Sequence, residues 1–227
     1  MPAKNTIKIY AANGIYHLYN RGVDKRTIFT DDYDYKVFLN CLKEALLPAD
    51  TLPKSQKTFT LEGSSFKGVM KPPKNFSKEI TLLAYCLMPN HFHLLVKQTE
   101  DRSIDSFMRS IGTRYVIHFN KRHKRVGHLF QGIYKAAMIT DESYYLHISR
   151  YIHRNPLAYT NNLIETYSSY AEYLGKRKTS WIKPEHILSS FQPSRLLFLK
   201  HTNTYKNFVE FDQKNEDMLT PDLTLED

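Results

Sequence analysis

The hydrophobic pattern changes period several times along the chain, and each change marks an element. Ile15-Tyr-His-Leu-Tyr-Asn20 alternates and reads as a strand, with Arg21-Gly22 as the turn after it. Tyr35, Phe38, Leu39, Leu42 and Leu46 then recur three and four residues apart, as on a helix with one buried face. Asp31 or Asp32 can cap that helix, and Pro48 stops it. Residues 79–87 hold Ile80, Leu82, Leu83, Ala84 and Cys86 and read as a second core strand. Pro89-Asn90 turns the chain directly into His91-Phe-His-Leu-Leu-Val96, so these two strands are antiparallel neighbours. Ile104, Met108, Ile111, Tyr115 and Phe119 restore the helical spacing; residues 121–127 form a basic connector and residues 133–139 a fourth strand. A last helix begins at Asp141-Glu142, whose acids suit a helix N-terminus. It ends at Asn155, because Pro156 disfavours the α conformation in the residue before it.

Strand, helix, strand, strand, helix, strand is the split βαβ order of an α+β, ferredoxin-like fold, with one helix appended. Both main helices are expected on one face of a four-stranded antiparallel sheet. His91 and His93 then lie on the opposite, open face. Residues 1–156 form the main domain on this reading. Inside it, residues 48–78 hold Pro48, Pro53, Pro72 and Pro73 and six lysines, and read as an insertion with a short hairpin around residues 59–70. Residues 157–227 read as a peripheral helical extension, its segments broken by Pro184 and Pro193, ending in a loosely held acidic tail.

Charge adds a partner class. The net charge is +9, and residues 207–227 hold seven acids against Lys214 alone, so residues 1–206 carry +15. From Ser106 to Thr140 the chain has Arg109, Arg114, Lys121, Arg122, Lys124, Arg125 and Lys135 and no acid. Aromatics are interleaved at Phe107, Tyr115, Phe119, Phe130 and Tyr134. A one-sign stretch with stacking surfaces points to single-stranded nucleic acid more than to a solvated helix face. No apolar run is long enough to span a bilayer, and the N-terminus shows no leader pattern, so a cytoplasmic location is expected, at the nucleoid in a bacterium. Cys41 and Cys86 suit neither a zinc knuckle nor a redox pair and read as small core residues.

Candidate chemistry starts from the histidine strand. His91 and His93 are two residues apart, so both imidazoles leave one side of the sheet while Phe92, Leu94 and Val96 leave the other. That is half a metal site, and equally two solvated histidines. In Ser149-Arg-Tyr-Ile-His-Arg-Asn-Pro156, Tyr151 and Asn155 share a helix face. Taken singly, Tyr151 is a core aromatic and Asn155 a helix C-cap. If their face covers the histidines, His91, His93 and Asn155 could bind a divalent cation beside a phenol. Tyr144 lies on nearly the same face as Tyr151, but Tyr151 is the one a single turn from Asn155.

These residues resemble a known family. Tyr85–Val96, YCLMPNHFHLLV, is similar to the His-hydrophobic-His motif of single-tyrosine HUH transposases, and YIHRNP at 151–156 to their tyrosine helix. More narrowly, the chain resembles the REP-associated tyrosine transposases. Tyr16-His-Leu-Tyr-Asn-Arg-Gly22, Gly127-His-Leu-Phe-Gln-Gly132, Tyr134-Lys-Ala136 and Ser168-Ser-Tyr170 match that group in order. The resemblance covers roughly residues 14–175. It departs at Ile133, where an arginine is usual, and in the lysine-rich insertion.

The resemblance implies an HUH endonuclease that cuts and rejoins single-stranded DNA near REP-like hairpins. Tyr151 would be the nucleophile, forming a 5′-phosphotyrosine. His91 and His93 would be metal ligands with Asn155 as the third, and Mg²⁺ or Mn²⁺ the cation. Arg21 and Gln131, in the matching motifs, join Arg109, Arg114, Lys121, Arg122, Lys124, Arg125 and Lys135 as expected DNA contacts. His93 and Tyr151 lie 58 residues apart in one chain, so a monomer acting in cis is favoured, although related transposases exchange that helix in dimers. A DNA-binding protein of this fold that no longer cuts, and a metal-dependent hydrolase using water, are the alternatives.

Overall fold

The computed structural model describes residues 9–53, 56–61, 64–69, 71–191 and 204–210. The elements follow the expected order: β1 (Ile15–Arg21), α1 (Asp32–Leu46), β2 (Gln56–Leu61), β3 (Ser64–Val69), β4 (Ile80–Met88), β5 (His91–Gln98), α2 (Ser103–Arg122), β6 (Lys135–Ile139) and α3 (Glu142–Arg154). Short helices α4 (Tyr170–Tyr173), α5 (Glu185–Leu188) and α6 (Tyr205–Glu210) follow. The main sheet is antiparallel throughout, in the order β4-β5-β1-β6. The expected insertion hairpin is present as the separate β2-β3 ribbon. Asp31, not Asp32, caps α1, its side chain accepting from the Tyr33 and Asp34 N–H groups.

The sheet has two covered faces. On the first, Tyr16, Leu18, Phe92, Leu94 and Val96 pack against Phe38 and Leu42 of α1 and Phe107, Ile111 and Tyr115 of α2. Charged contacts fasten the two helices together. Arg122 donates to Asp34 at 2.7 Å and to Asp31 at 2.6 Å, and Arg114 to Glu44 at 2.6 Å and to the Cys41 carbonyl at 2.7 Å.

The second face is not open, contrary to the expectation from the histidine strand. Leu83, Ala84, Cys86, Met88, Leu95 and Ile139 form a second core with Leu146, Ile148 and Ile152 of α3. Tyr170, Tyr173, Ile187, Tyr205, Phe208 and Val209 join it, so the described part of the C-terminal extension is core and not periphery. The reason is legible in β4, ITLLAYCLM, which is apolar on both faces and therefore needs cover on both. A β-bulge between Leu82 and Ala84 shifts the register there, and Leu83 and Ala84 both enter the second core.

The extension also closes the outer edge of β4. The Leu87 N–H donates to the Tyr167 carbonyl at 2.9 Å, the Ser169 N–H to the Tyr85 carbonyl at 3.0 Å, and the Lys183 N–H to the Leu82 carbonyl at 3.0 Å. An edge strand left with unpaired backbone groups is a template for aggregation, and this cover removes it. Pro184 opens α5, whereas Pro193 and the acidic tail at 211–227 lie outside the described residues. Both cysteines are buried thiols, as expected. Among the described residues no helix is long and apolar enough to cross a membrane.

Candidate active site

The turn into β5 sets the position of His91. The Gly22 N–H donates to the Asn90 carbonyl at 2.8 Å, and the Pro89 carbonyl accepts from Ile28 at 2.7 Å and Phe29 at 3.0 Å. Gly22 is required by close approach: a Cβ there would lie 2.2 Å from the Arg26 carbonyl oxygen. Across the sheet, Arg21 is paired with His91 and Tyr19 with His93. α3 is started by Asp141, whose carboxylate accepts from the Tyr144 N–H at 2.8 Å. Its buried Leu146, Ile148 and Ile152 hold it on the second face.

That packing brings the sequence-predicted residues together within one chain. The Tyr151 ring meets the His93 ring edge-on at a centroid distance of 5.3 Å. The His91 and His93 rings are 5.0 Å apart and nearly perpendicular. Asn155 is the C-cap of α3, with its N–H donating to the Tyr151 carbonyl. Its side-chain Oδ1 is 2.9 Å from His91 Nε2. Asn155 is therefore both the cap and a member of the site, and the cap bond ties it to Tyr151. Of the other tyrosines on α3, Tyr145 packs against the second core, and burial pushes its phenol up.

Burial makes the site's imidazoles neutral. It pushes His93 well below the ordinary histidine value, with His17 and His91 adding to the effect, and lowers His91, which a hydrogen bond with Asn155 partly offsets. His91 faces two carboxamide oxygens, Asn90 Oδ1 at 2.6 Å from Nδ1 and Asn155 Oδ1 at 2.9 Å from Nε2. A neutral imidazole has one N–H, so one oxygen confronts a lone pair. A bound cation relieves that opposition, as does a turn of the Asn155 amide. His93 Nε2 is buried without a hydrogen-bond partner. Among the described residues no group of three or more His, Cys, Asp or Glu is placed to hold a metal ion. The candidate set is instead two imidazoles and a carboxamide, and its orphaned nitrogen and opposed lone pairs fit a divalent cation with further positions left for oxygen ligands.

The expected DNA contacts divide between the two faces. Arg21 and Gln131 bond to each other at 2.5 Å, beside His91. Lys135 lies 5.8 Å over the Tyr19 ring, in the row that continues to His93. The α2 residues are elsewhere, because α2 covers the first face. Arg114 and Arg122 are partly exposed but engaged with acids of α1 and its cap, so their guanidinium groups clasp the two helices on the face away from the tyrosine. Arg125 donates to Asn120 at 3.1 Å and lies over the Phe119 ring. Lys121 and Lys124 are exposed at the C-terminal end of α2 and just beyond it. Arg109 borders a groove of about 520 Å³ lined by Phe92, Met108, Phe130, Ile133 and Tyr134.

Sequence reasoning missed three contributors. His17 stacks on His93, with its Nε2 2.8 Å from His93 Nδ1. Its signal was the alternation of β1, which puts His17 and Tyr19 on the histidine side. Asn90 looked like a turn residue only. His153 bonds to Tyr205 at 2.7 Å and Ser169 at 2.8 Å and so joins α3 to the extension; nothing local in the sequence marks that pairing.

Residues 66–155 match the family model described as IS200-like transposase. Among solved structures, a REP-associated tyrosine transposase bound to a REP hairpin is similar, at 13% identity and a TM-score of 0.51, over 77% of this chain and 94% of that one. At that identity the likeness shows the fold alone, and it agrees with the α+β sheet described above. A proposed transposase from Deinococcus radiodurans R1 is matched over 68% of this chain and 97% of that one, at 14% identity. Its TM-score of 0.36 bears no argument. No curated protein matches the chain.

Proposed function

We infer that this chain, whose residues 66–155 match the IS200-like transposase model, is such a transposase and that it nicks and rejoins single-stranded DNA beside hairpins through a covalent bond to Tyr151. One observation carries the reading: a phenol, two imidazoles and a carboxamide from separate elements converge within one chain, with the Tyr151 ring 5.3 Å from that of His93. The similarity to a transposase solved with a REP hairpin supports a hairpin-bearing DNA partner.

Tyr151 supplies the nucleophile. Its oxygen bonds to phosphorus as the bond from phosphorus to O3′ breaks, the phenol loses its proton, and a proton ends on the departing 3′ oxygen. One phosphoester replaces another, so the step needs no nucleotide cofactor, and a 3′-OH can reverse it, which is strand transfer. A phenol has an ordinary pKa near 10 and is a weak nucleophile at neutral pH. His91, His93 and Asn155 would hold Mg²⁺ or Mn²⁺. A bound divalent cation neutralises non-bridging phosphate oxygens and makes phosphorus more electrophilic. Arg21, Gln131 and Lys135, on the histidine side, would orient the strand. A single chain would be the cutting unit.

Incubation with hairpin-flanked single-stranded DNA and Mn²⁺, followed by a denaturing gel, tests this. A covalent protein–DNA adduct is expected, absent in Tyr151→Phe. Cleavage with no adduct would mean a hydrolase using water. Binding with neither would mean a DNA-binding protein that no longer cuts.

A further inference from the structure

We propose that His17 is a positioning residue for His93: it accepts the Nδ1 proton of His93 and so leaves the Nε2 lone pair of His93 for the cation. The inference rests on the reading of His93 as a ligand and adds a residue and a proton assignment to it.

His17 Nε2 and His93 Nδ1 are 2.8 Å apart, both rings are fully buried, and their planes differ by 19°. Two neutral ring nitrogens form a hydrogen bond only if one carries a proton and the other does not. If His17 were the donor, His93 would hold its own proton on Nε2 and could not ligate. If His93 donates, its Nε2 is a lone pair. His93 Nε2 is also the buried nitrogen that has no partner. Each arrangement leaves one buried N–H unpaired, on His93 in the first and on His17 in the second; the second alone leaves a lone pair on His93 Nε2 for use as a ligand. Solvent cannot decide between them, because His17 and His93 are sealed under α3.

His91 shows the same arrangement by other means. Asn90 Oδ1 is the nearer of its two acceptors, 2.6 Å from Nδ1 against 2.9 Å between Nε2 and Asn155 Oδ1, and on this proposal the proton sits on Nδ1. Both histidines of the strand are then protonated on Nδ1 and present Nε2. An outer partner that fixes the tautomer of a ligating imidazole is a general feature of metal sites. His17 is held for the task by its surroundings: its ring stacks on Tyr19 at 5.0 Å and meets Tyr151 edge-on at 6.1 Å. It carries its own proton on Nδ1, buried and without a partner. That orphaned N–H is the cost of the arrangement, and a leucine would not bear it.

The test reads the proton directly. Long-range ¹H–¹⁵N correlation spectra of the histidine rings are recorded on the full, metal-free chain at neutral pH, with His17→Gln and His93→Gln spectra for assignment. His93 is expected as the Nδ1–H form, the less common tautomer of an unconstrained histidine. A His93 proton on Nε2 would overturn the proposal, with no variant needed for that conclusion. Mn²⁺ titration supplies the second readout. In folded His17→Leu, affinity should fall by about 10- to 100-fold, and His17→Gln, whose amide oxygen can accept, should recover part of it. An unchanged affinity in folded His17→Leu contradicts the proposal. If wild type and His91→Ala bind Mn²⁺ equally weakly, the cation reading itself has failed, and the tautomer spectrum still decides the role of His17.

Discussion

The two faces of the sheet use the same kinds of residue for opposite ends. On the face covered by α1 and α2, the buried carboxylate is fully paired. Asp34, fully buried, accepts from the Thr30 N–H at 3.0 Å, from Arg122 at 2.7 Å and from His123 at 3.0 Å. On the face covered by α3, His93 Nε2 and His17 Nδ1 are buried without partners, and His91 sits between two carboxamide oxygens for its single N–H. Buried polar atoms are normally satisfied. His118 Nε2 on α2 is also buried without a hydrogen bond, 3.7 Å from Asp34, so what sets the α3 face apart is that its incompletely bonded imidazoles cluster beside a phenol. The basic stretch that attracted attention in the sequence belongs largely to the α1–α2 face. The two histidines, plain in composition, belong to the other.

Substitutions should separate the faces. The largest effect is expected on the α3 side. His91→Ala or His93→Ala should lower adduct formation by about 100-fold or more, with the melting temperature little changed in half-buried His91→Ala and lowered in His93→Ala, whose fully buried ring bonds to His17. A mixture of His93→Ala and Tyr151→Phe tests whether the site is built in cis. No adduct should return, whereas recovery in the mixture would mean that α3 is exchanged between chains.

Asp34→Asn acts on the other face. It should cost about 2–3 kcal/mol in urea unfolding, because a buried charge-assisted network loses its acceptor. Adduct yield per folded molecule should stay the same. The acid limb of stability follows with a definite sign. Burial pushes the Asp34 carboxyl up, but the Thr30 N–H, Arg122 and His123 outweigh it and hold it below the ordinary value. A carboxyl with a lowered folded value contributes stability that is complete above its unfolded pKa, about 3.9. That contribution is lost as pH falls through the folded value. Unfolding midpoints measured from pH 6 to pH 2 should fall less steeply below pH 4 in Asp34→Asn than in wild type.

His153→Leu tests the seam between α3 and the extension. Loss of its bonds to Tyr205 and Ser169 should cost about 1–3 kcal/mol and disturb both readouts, since α3 also carries Tyr151. The smallest effect belongs to Lys135→Ala. It should weaken single-stranded DNA binding modestly and reduce the salt slope by about 0.7. A loss confined to one DNA sequence would instead indicate a base contact.

The fold was readable where one element carries one period. β1, α1, β5, α2 and α3 announce themselves through alternation or three-four spacing, and Pro48 and Pro156 mark two of the ends. The site was readable where its members lie within one turn or one strand, as His91 with His93 and Tyr151 with Asn155 do. What was hidden depends on pairing between distant segments. The cover of the β4 edge by residues 167–169 and 182–183 is a backbone contact that side-chain patterns do not encode. The apolar run of β4 implied cover on both faces, yet read locally it looked like an ordinary core strand. His17 shows the same limit: its alternation was visible, but its meaning needed the β1–β5 register that sets it near His93.

The atom that takes the phosphate can be identified directly. After reaction with hairpin-flanked single-stranded DNA and Mn²⁺, nuclease and protease digestion followed by tandem mass spectrometry locates the residual nucleotide on a peptide. The expected result is a phosphotyrosyl linkage on Tyr151, in the peptide that also carries Asn155. A linkage on Tyr144 or Tyr145, or cleaved DNA with no modified tyrosine, would contradict the assignment of Tyr151 as nucleophile.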